Sequence, residues 1–317
     1  MNHLDNFGTN LTSGTSASDT TSPVNSVPSI AAPFWVAFDA TNINNHYETK
    51  LITSKTATNI LHSALSYDHT TAEEVRIINP AAEFDALSTG WQTGPGTWTY
   101  SSADSPTFVL TTSVDLSAFI GVGTRIKLTQ TTVKYFIVTD ISGTTITLYG
   151  GTDYTLANAA ITLPYFSIMK APIGFPLDPL KWTVSATDTS MRTQATPTQN
   201  TWYNPGSITL SVPIGSWKLS FLANVDIDDA SASTPQFRLT LSTANNSESD
   251  ASMTAAAHVV LNASTRQGLA VYREKHVLLA AKTSHYLNIM TPTASVDNLN
   301  IRGDIGTTTI RAVSSYL

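Results

Sequence analysis

Trp217, Leu219, Phe221, Ala223, Val225 and Ile227 alternate with Lys218, Ser220, Asn224, Asp226 and Asp228, and only Leu222 breaks the order. A period of two predicts a strand with one face buried. Shorter stretches of the same kind follow: Gln236 to Leu241, His258 to Leu261, Val271 to Leu279, Tyr286 to Met290 and Thr308 to Val313. With Trp182 to Val184 and Ile208 to Val212 upstream, the C-terminal portion predicts about eight strands, the number of a jelly-roll sandwich. Strand-like sequence continues through Arg311 to Leu317, so the C-terminus is expected to be tied into a sheet.

Upstream, Arg125 to Leu128, Val133 to Val138 and Thr144 to Tyr149 read as three strands, the last two joined across Ser142-Gly143 by a short hairpin turn. Gly94-Pro-Gly96 marks a turn before Thr97 to Tyr100, and Asp115 to Phe119 reads as one helical turn. This punctuation predicts a small antiparallel β-barrel or sandwich. Between Lys170 and Pro179, three prolines and a glycine predict a stiff connector. Nearer the N-terminus, Pro33 to Phe38 is an aromatic-apolar patch and Val75 to Pro80 a strand stopped by proline, whereas Tyr47 to Ser66 does not separate strand from short helix. Residues 1–31 are rich in Ser and Thr with almost nothing to bury, and on their own should be disordered. They read either as a loose tail or as an extended arm that orders on a partner, with Leu11, Val24, Val27 and Ile30 as its anchoring side chains. The expected organisation is therefore all-β: an arm over 1–31, a β-rich middle domain over 32–175 and a jelly roll over 176–317.

Composition narrows the function. Of 317 residues, 41% are hydrophobic, enough for real cores, but only 13% are charged; an ordinary soluble domain carries about 25%. Uncharged Thr, Ser, Asn and Ala take the difference, which suits pleated faces. The net charge of −6 comes without a basic run, which disfavours nucleic acid as a partner. With no cysteine, disulfides, thiolate metal sites and Cys nucleophiles are excluded. Residues 1–30 lack the basic and apolar regions of a signal peptide, and no apolar stretch reaches membrane-span length, so membrane insertion is not expected.

Two longer phrases carry a resemblance. Leu148-Tyr-Gly-Gly-Thr-Asp-Tyr-Thr-Leu-Ala-Asn-Ala-Ala-Ile161 and Lys170-Ala-Pro-Ile-Gly-Phe-Pro-Leu-Asp-Pro-Leu-Lys-Trp182 resemble structural proteins of tailed bacteriophages and prophages. So do Val212-Pro-Ile-Gly-Ser-Trp-Lys-Leu-Ser220, Leu241-Ser-Thr-Ala-Asn-Asn246, Tyr286-Leu-Asn288, Arg302-Gly-Asp304 and Ile310-Arg-Ala-Val-Ser-Ser-Tyr-Leu317, which belong to the domain that often follows there. Together these are spread over residues 148–317, roughly half the chain. The C-terminal domain is similar in pattern to the trimeric jelly rolls of the tumour-necrosis-factor and complement-C1q type. The resemblance implies a virion location and a homotrimeric spike, fibre or head-decoration protein. Its arm would bind other virion proteins and its outer head a bacterial surface glycan.

No catalytic constellation accompanies this architecture, and neither a cofactor nor a metal is expected. There is no Gly-x-Ser-x-Gly elbow and no phosphate-binding glycine loop. The seven histidines show no metalloprotease spacing, although His276 and His285 are placed to meet across a hairpin. Asp226, Asp228 and Asp229 form the densest acidic group; without the glycine and terminal Glu of a calcium loop, a solvated strand end is the plainer reading. Glu73-Glu74 with Glu83 and Asp85 supply paired acids of the kind glycoside hydrolysis needs, at separations the sequence does not fix. Trp202 and Tyr203, before Asn204-Pro-Gly206, are candidates for stacking on a sugar face, against the alternative that Trp202 plugs the end of a barrel. Trp91, Trp98 and Trp217 lie in strand-like sequence and are expected in cores.

Overall fold

The computed structural model describes residues 8–27, 32, 34–40, 46–77, 88–230, 234–261 and 266–317. The chain divides into two compact units, Met1–Thr89 and Gly90–Leu317. This differs from the expected boundaries at 31 and 175, because the middle and C-terminal portions share one core.

In the first unit, β1 (Gly8–Asn10), β2 (Thr21–Pro23), β3 (Phe34–Phe38), β4 (Glu48–Ile52), β5 (Ser54–Lys55), β6 (Asn59–Leu61) and β7 (Glu74–Ile77) form two small antiparallel sheets. Their orders are β1-β7-β3-β4 and β2-β6-β5. The segment expected to be a free arm is extended but not free. Gly8 to Asn10 pair with Glu74 to Arg76, Thr21 to Pro23 pair with Asn59 to Leu61, and Leu11 bridges Val24. Leu11 and Val24 are 1% and 2% exposed, in a core with Phe34, Val36, Phe38, Ile52, Ile60, Leu65 and Val75; Val27 packs against it. Leu11 and Val24 are therefore core residues and not particle anchors. Ile30, the fourth anchor candidate, lies outside the described residues. The segment has too few apolar residues to fold alone, and its two strands find their partners 36 to 68 residues away.

The second unit opens with β8 (Gln92–Thr93), β9 (Trp98–Asp104), β10 (Thr107–Thr112), β11 (Arg125–Gln130), β12 (Thr132–Ser142), β13 (Thr145–Tyr149) and β14 (Thr162–Ser167). They make one seven-stranded antiparallel sheet, β8-β14-β11-β12-β13-β10-β9. Its end strands are neighbours in sequence but do not pair, so the sheet closes no barrel. The predicted hairpin is present: Ser142 pairs with Thr145 across Gly143-Thr144, and Gly143 takes the positive φ of 57° that such a turn needs. Leu116 accepts from the Ile120 amide at 3.0 Å, which closes the expected helical turn. Phe136 and Val138 on β12 face a core with Trp98, Phe108, Leu110, Ile126, Leu128, Ile146 and Leu148.

The remaining strands are β15 (Thr183–Asp188), β16 (Met191–Ala195), β17 (Thr209–Val212), β18 (Gly215–Asp228), β19 (Gln236–Ser242), β20 (Thr254–His258), β21 (Arg266–Leu279), β22 (Thr283–Met290), β23 (Asn298–Arg302) and β24 (Thr308–Ser314). One sheet carries β15-β24-β18, with β21 on the far side of β18; the other is β17-β22-β19-β20. Taking the eight principal strands in chain order as A to H, with β16 and β23 as additions, the sheets read A-H-C-F and B-G-D-E. This is the jelly-roll connectivity the strand count predicted. β23 and β16 extend the first sheet beside the far half of β18. The six apolar residues of the β18 alternation are all buried, and Leu222 is exposed on the outer face. β20 lies earlier than the predicted His258 to Leu261, because Ala255 to Ala257 give no β-branched signal.

The two parts of this unit meet along an aromatic seam. Tyr135, Ile137 and Tyr149 project from the opposite face of the seven-stranded sheet into the jelly-roll core. Phe175 stacks on Trp182 at 5.1 Å between ring centroids, Trp182 meets Tyr149 at 5.9 Å, and Tyr149 meets Trp217 edge-on at 5.0 Å. The indoles are satisfied: Trp91 donates to the Ile173 carbonyl, Trp182 to Pro176 and Trp217 to Pro213. The proline-rich connector is thus stapled to both sides through its carbonyls. Trp182→Ala should destabilise the unit by about 3–5 kcal/mol, read as the shift of a single urea transition. A loss below about 1 kcal/mol would show that the seam does not hold the unit together.

Candidate binding surfaces

At one end of the jelly roll, the loop before β17 meets the loop after β19. Tyr203 exchanges backbone hydrogen bonds with Ile289 at 2.9 and 2.8 Å, and its hydroxyl accepts from the Thr198 amide at 2.9 Å. The Thr198 side chain, and after it the amide, hold the Tyr203 phenol below its ordinary value against the effect of burial. The Asn204 amide donates to Asn246 Oδ1 at 2.6 Å and its side chain to Asn245 Oδ1 at 3.2 Å. Asn288, wholly buried, ties the second loop down by donating to the Ala244 and Ser247 carbonyls at 2.9 and 2.7 Å. Trp202 and Tyr203 are both half-buried at the edge of this asparagine platform. The structure therefore brings Asn204, the residue that follows the two predicted aromatics, onto Asn245 and Asn246, amides able to hydrogen-bond a polyol. Sequence reasoning missed these amides because nothing local links positions 204, 246 and 288.

The acidic group is not the solvated strand end expected. Asp226 is buried, with Oδ1 accepting from Asn300 at 2.7 Å and Oδ2 from Arg302 at 2.6 Å. Arg302 also forms a two-pronged pair with Asp304 at 2.8 and 2.7 Å, and Thr193 donates to Asn300 Oδ1 at 2.6 Å. Asp304, then Asp226, hold the Arg302 guanidinium charged more firmly than an isolated one. The cluster pins β23 to β18 and β16, and its oxygens are engaged. Among the described residues no three His, Asp or Glu side chains gather as a set of metal ligands.

His276 and His285 are not hairpin partners, since β21 and β22 belong to different sheets. Both nonetheless line one cleft of about 360 Å³ where the sandwich opens beside β21, with Leu219, Leu241, Met253, Asp250 and Lys275. Burial pushes the His285 imidazole below its ordinary pKa, and Asp250 and Lys275 pair at 2.5 Å across the mouth.

In the first unit, Glu73 is buried against His69 rather than facing a cleft, and Glu74 pairs with Arg76 at 2.6 Å. Glu83 and Asp85 lie outside the described residues. His69 bridges two carboxylates, 2.8 Å from Glu73 Oε2 and 2.8 Å from Glu48 Oε1. Glu48 also takes Lys50 at 2.9 Å and the Ser66 amide at 2.9 Å. Burial opposes its charge, but Lys50, His69 and the Ser66 amide outweigh burial and hold the Glu48 carboxyl at about 2.

No family model matches the chain, and no curated protein does. Among solved structures, it is similar to dimeric latent PorU from Porphyromonas gingivalis, with 10% identity, 69% of this chain and 24% of that one covered, and a TM-score of 0.26. The chain thus spans about a quarter of PorU. It is also similar to the VP2 subviral particle of infectious bursal disease virus, with 12% identity, 99% and 79% covered, and a TM-score of 0.23. A third is isomalto-dextranase of Arthrobacter globiformis in complex with panose, with 13% identity, 70% and 36% covered, and a TM-score of 0.20. A virus-particle protein thus stands among the neighbours, but at these TM-scores the backbones do not superpose as one fold, and the neighbours assign no role to this chain.

The Glu48 arrangement makes a prediction about acid. Because the folded carboxyl sits below its ordinary value of 4.5, its contribution is full above that value and is lost as pH falls toward 2. The first unit should therefore weaken between pH 4.5 and 2, followed by near-ultraviolet circular dichroism. Glu48→Gln should flatten that dependence and lower stability at neutral pH; an unaltered acid profile would count against the assignment.

Proposed function

We propose that this chain is a non-enzymatic structural protein of a bacteriophage virion. In this reading it is a homotrimeric spike or fibre, attached to the particle through its N-terminal unit, whose jelly roll meets a bacterial surface glycan. The phage-like phrases at 148–182 and 212–220 support the virion assignment. They now fall on the end of β13, on the connector and on the start of β18, which are the parts that build the aromatic seam.

The observation that carries the trimer is β21. It is fourteen residues long and, among the described residues, pairs only with β18. A long strand with one open edge is a site for contact with another chain. Its side chains are exposed on both faces: Leu269 is 45%, Tyr272 54% and Leu278 78% exposed. Tyr272 stands opposite Leu222, itself exposed on β18, which extends the apolar strip onto the sheet. Two of the strand's charges are compensated within the chain, Glu274 by Lys218 at 2.8 Å and Lys275 by Asp250 at 2.5 Å, which limits repulsion between identical faces.

Glycan contact is assigned to the Trp202 and Tyr203 end, where two half-buried aromatics precede Asn204 and its partners Asn245 and Asn246. The attachment residues on the N-terminal side remain with the first unit as a folded body, since Leu11 and Val24 are spent in its core.

Sedimentation of the full-length protein should give a species near three times the 34.0 kDa chain. Tyr272→Lys with Leu278→Lys should convert it to monomer without altering the far-ultraviolet spectrum; a monomeric wild type overturns the trimer. Binding of host polysaccharide should fall about tenfold in Trp202→Ala, as expected for loss of one aromatic platform. Unchanged binding, or none in the wild type, would favour a particle-stabilising decoration protein without a receptor. New reducing ends on the polysaccharide would favour a depolymerase.

A further inference from the structure

Arg125 is 1% exposed, and no carboxylate among the described residues pairs with it. Its Nε donates to the Lys170 carbonyl at 3.2 Å, Nη1 to the Gly123 carbonyl at 2.5 Å and Nη2 to the Tyr316 carbonyl at 2.6 Å. The guanidinium also lies over the Phe175 ring, 5.1 Å from its centroid. Carbonyl dipoles and a ring face satisfy geometry but carry no net negative charge, and a buried charge without a counter-ion is costly. Of the five N–H donors of a guanidinium, three are spent on these carbonyls, which leaves one on each terminal nitrogen. Burial accordingly pushes the Arg125 pKa below its ordinary value.

This cation lines a cleft of about 410 Å³ with Val122, Gly123, Thr124, Ile168, Met169, Lys170, Ser315 and Tyr316. Lys170 adds a second cation, again with no carboxylate partner among the described residues. The opposite character is built into the same cleft. Val122, Ile168 and Met169 are 50%, 75% and 52% exposed, so an apolar wall faces water unpartnered. The floor is set by Tyr316, whose ring packs on Gly123; that glycine has a φ of +90°, and a Cβ there would meet the ring at 3.3 Å. Tyr316 in turn accepts from the Ser216 amide through its hydroxyl at 2.9 Å. The pocket is thus fixed by the sheet, the connector and the last strand together.

We propose that this cleft binds a small organic carboxylate, its anion held by Lys170 and Arg125 and its apolar substituents laid against Val122, Ile168 and Met169. Two sources share this chemistry, an acetylated sugar acid and a free aliphatic acid. The lining shares no residue with the Trp202 platform or with β21, although Ser315 meets His276 of β21 at 3.3 Å, and the proposal does not rest on the attachment reading.

Calorimetric titration of the full chain with N-acetylneuraminate and with hexanoate tests it, the methyl ester and hexanamide serving as neutral counterparts. At least one acid should bind, with its neutral counterpart at least about tenfold weaker. Binding of the sugar acid alone would identify a polysaccharide source, and of hexanoate alone a free acid. Lys170→Ala should weaken binding about fivefold. Ile168→Asp, on a side chain exposed to water, should weaken it tenfold or more while circular dichroism and melting stay as in the wild type. No heat from either acid, equal affinity for acid and neutral counterpart, or full binding by Ile168→Asp would each overturn the proposal.

Discussion

Everything between Gly90 and Leu317 depends on burying both faces of one sheet. β12 shows why. Phe136 and Val138 point into the core that the seven-stranded sheet wraps, while Tyr135 and Ile137 point the other way into the jelly roll. A sheet that is apolar on both faces must be covered twice. The jelly roll supplies the second cover, and the rings of Phe175, Trp182, Tyr149 and Trp217 fill the space between. Large aromatic faces contribute both area and geometry, so relative placement is fixed rather than hinged. The connector is rigid for the same reason, since its carbonyls at Ile173 and Pro176 are the acceptors for the indoles of Trp91 and Trp182.

That rigidity has a chemical consequence. Once the sheet is pressed against the C-terminal segment, Arg125 is almost wholly buried among carbonyls at the cleft wall, with no carboxylate among the described residues to compensate its charge. The cation is a by-product of the packing, yet it stands at the wall of a cleft with Lys170 and an exposed apolar side. The Asp226 cluster is the contrasting case. There Arg302 and Asn300 satisfy the buried carboxylate while Asp304 takes the other side of the guanidinium, and the result is a clasp between strands rather than a site. Buried charge alone does not mark function; what separates the two is whether the counter-charge lies within the chain.

The β21 edge belongs to the same logic of incomplete burial. β18 buries one face along its whole length and pairs on both sides, while β21 pairs on one side and keeps Leu269, Tyr272 and Leu278 in water. A strand of that length left open is tolerated when another surface closes it. The first unit manages its edges differently, by laying the N-terminal segment against β7 and β6.

Much of this was legible in the sequence. Period two gave β18 residue by residue, the Ser142-Gly143 turn gave the β12–β13 hairpin, and the strand count predicted the jelly roll. Trp91, Trp98 and Trp217 were placed in cores correctly because strand-like sequence buries large rings. Alternation is a local property, written by the backbone itself. Pairing is not local, and there the sequence fell short. Leu11 and Val24 looked like free anchors because their partners lie at 34 to 75. Asp226 looked solvated because Asn300 and Arg302 are 74 and 76 positions away. His276 and His285 looked like hairpin mates because a crossover between sheets reads like a turn. β16 and β23 were missed, since Met191 to Ala195 has no buried residue to signal a strand. Local periodicity determined that the chain is all-β and where most strands run; only tertiary packing decided which charges are compensated, which edges stay open and where one unit ends, because those depend on residues far apart in sequence meeting in space.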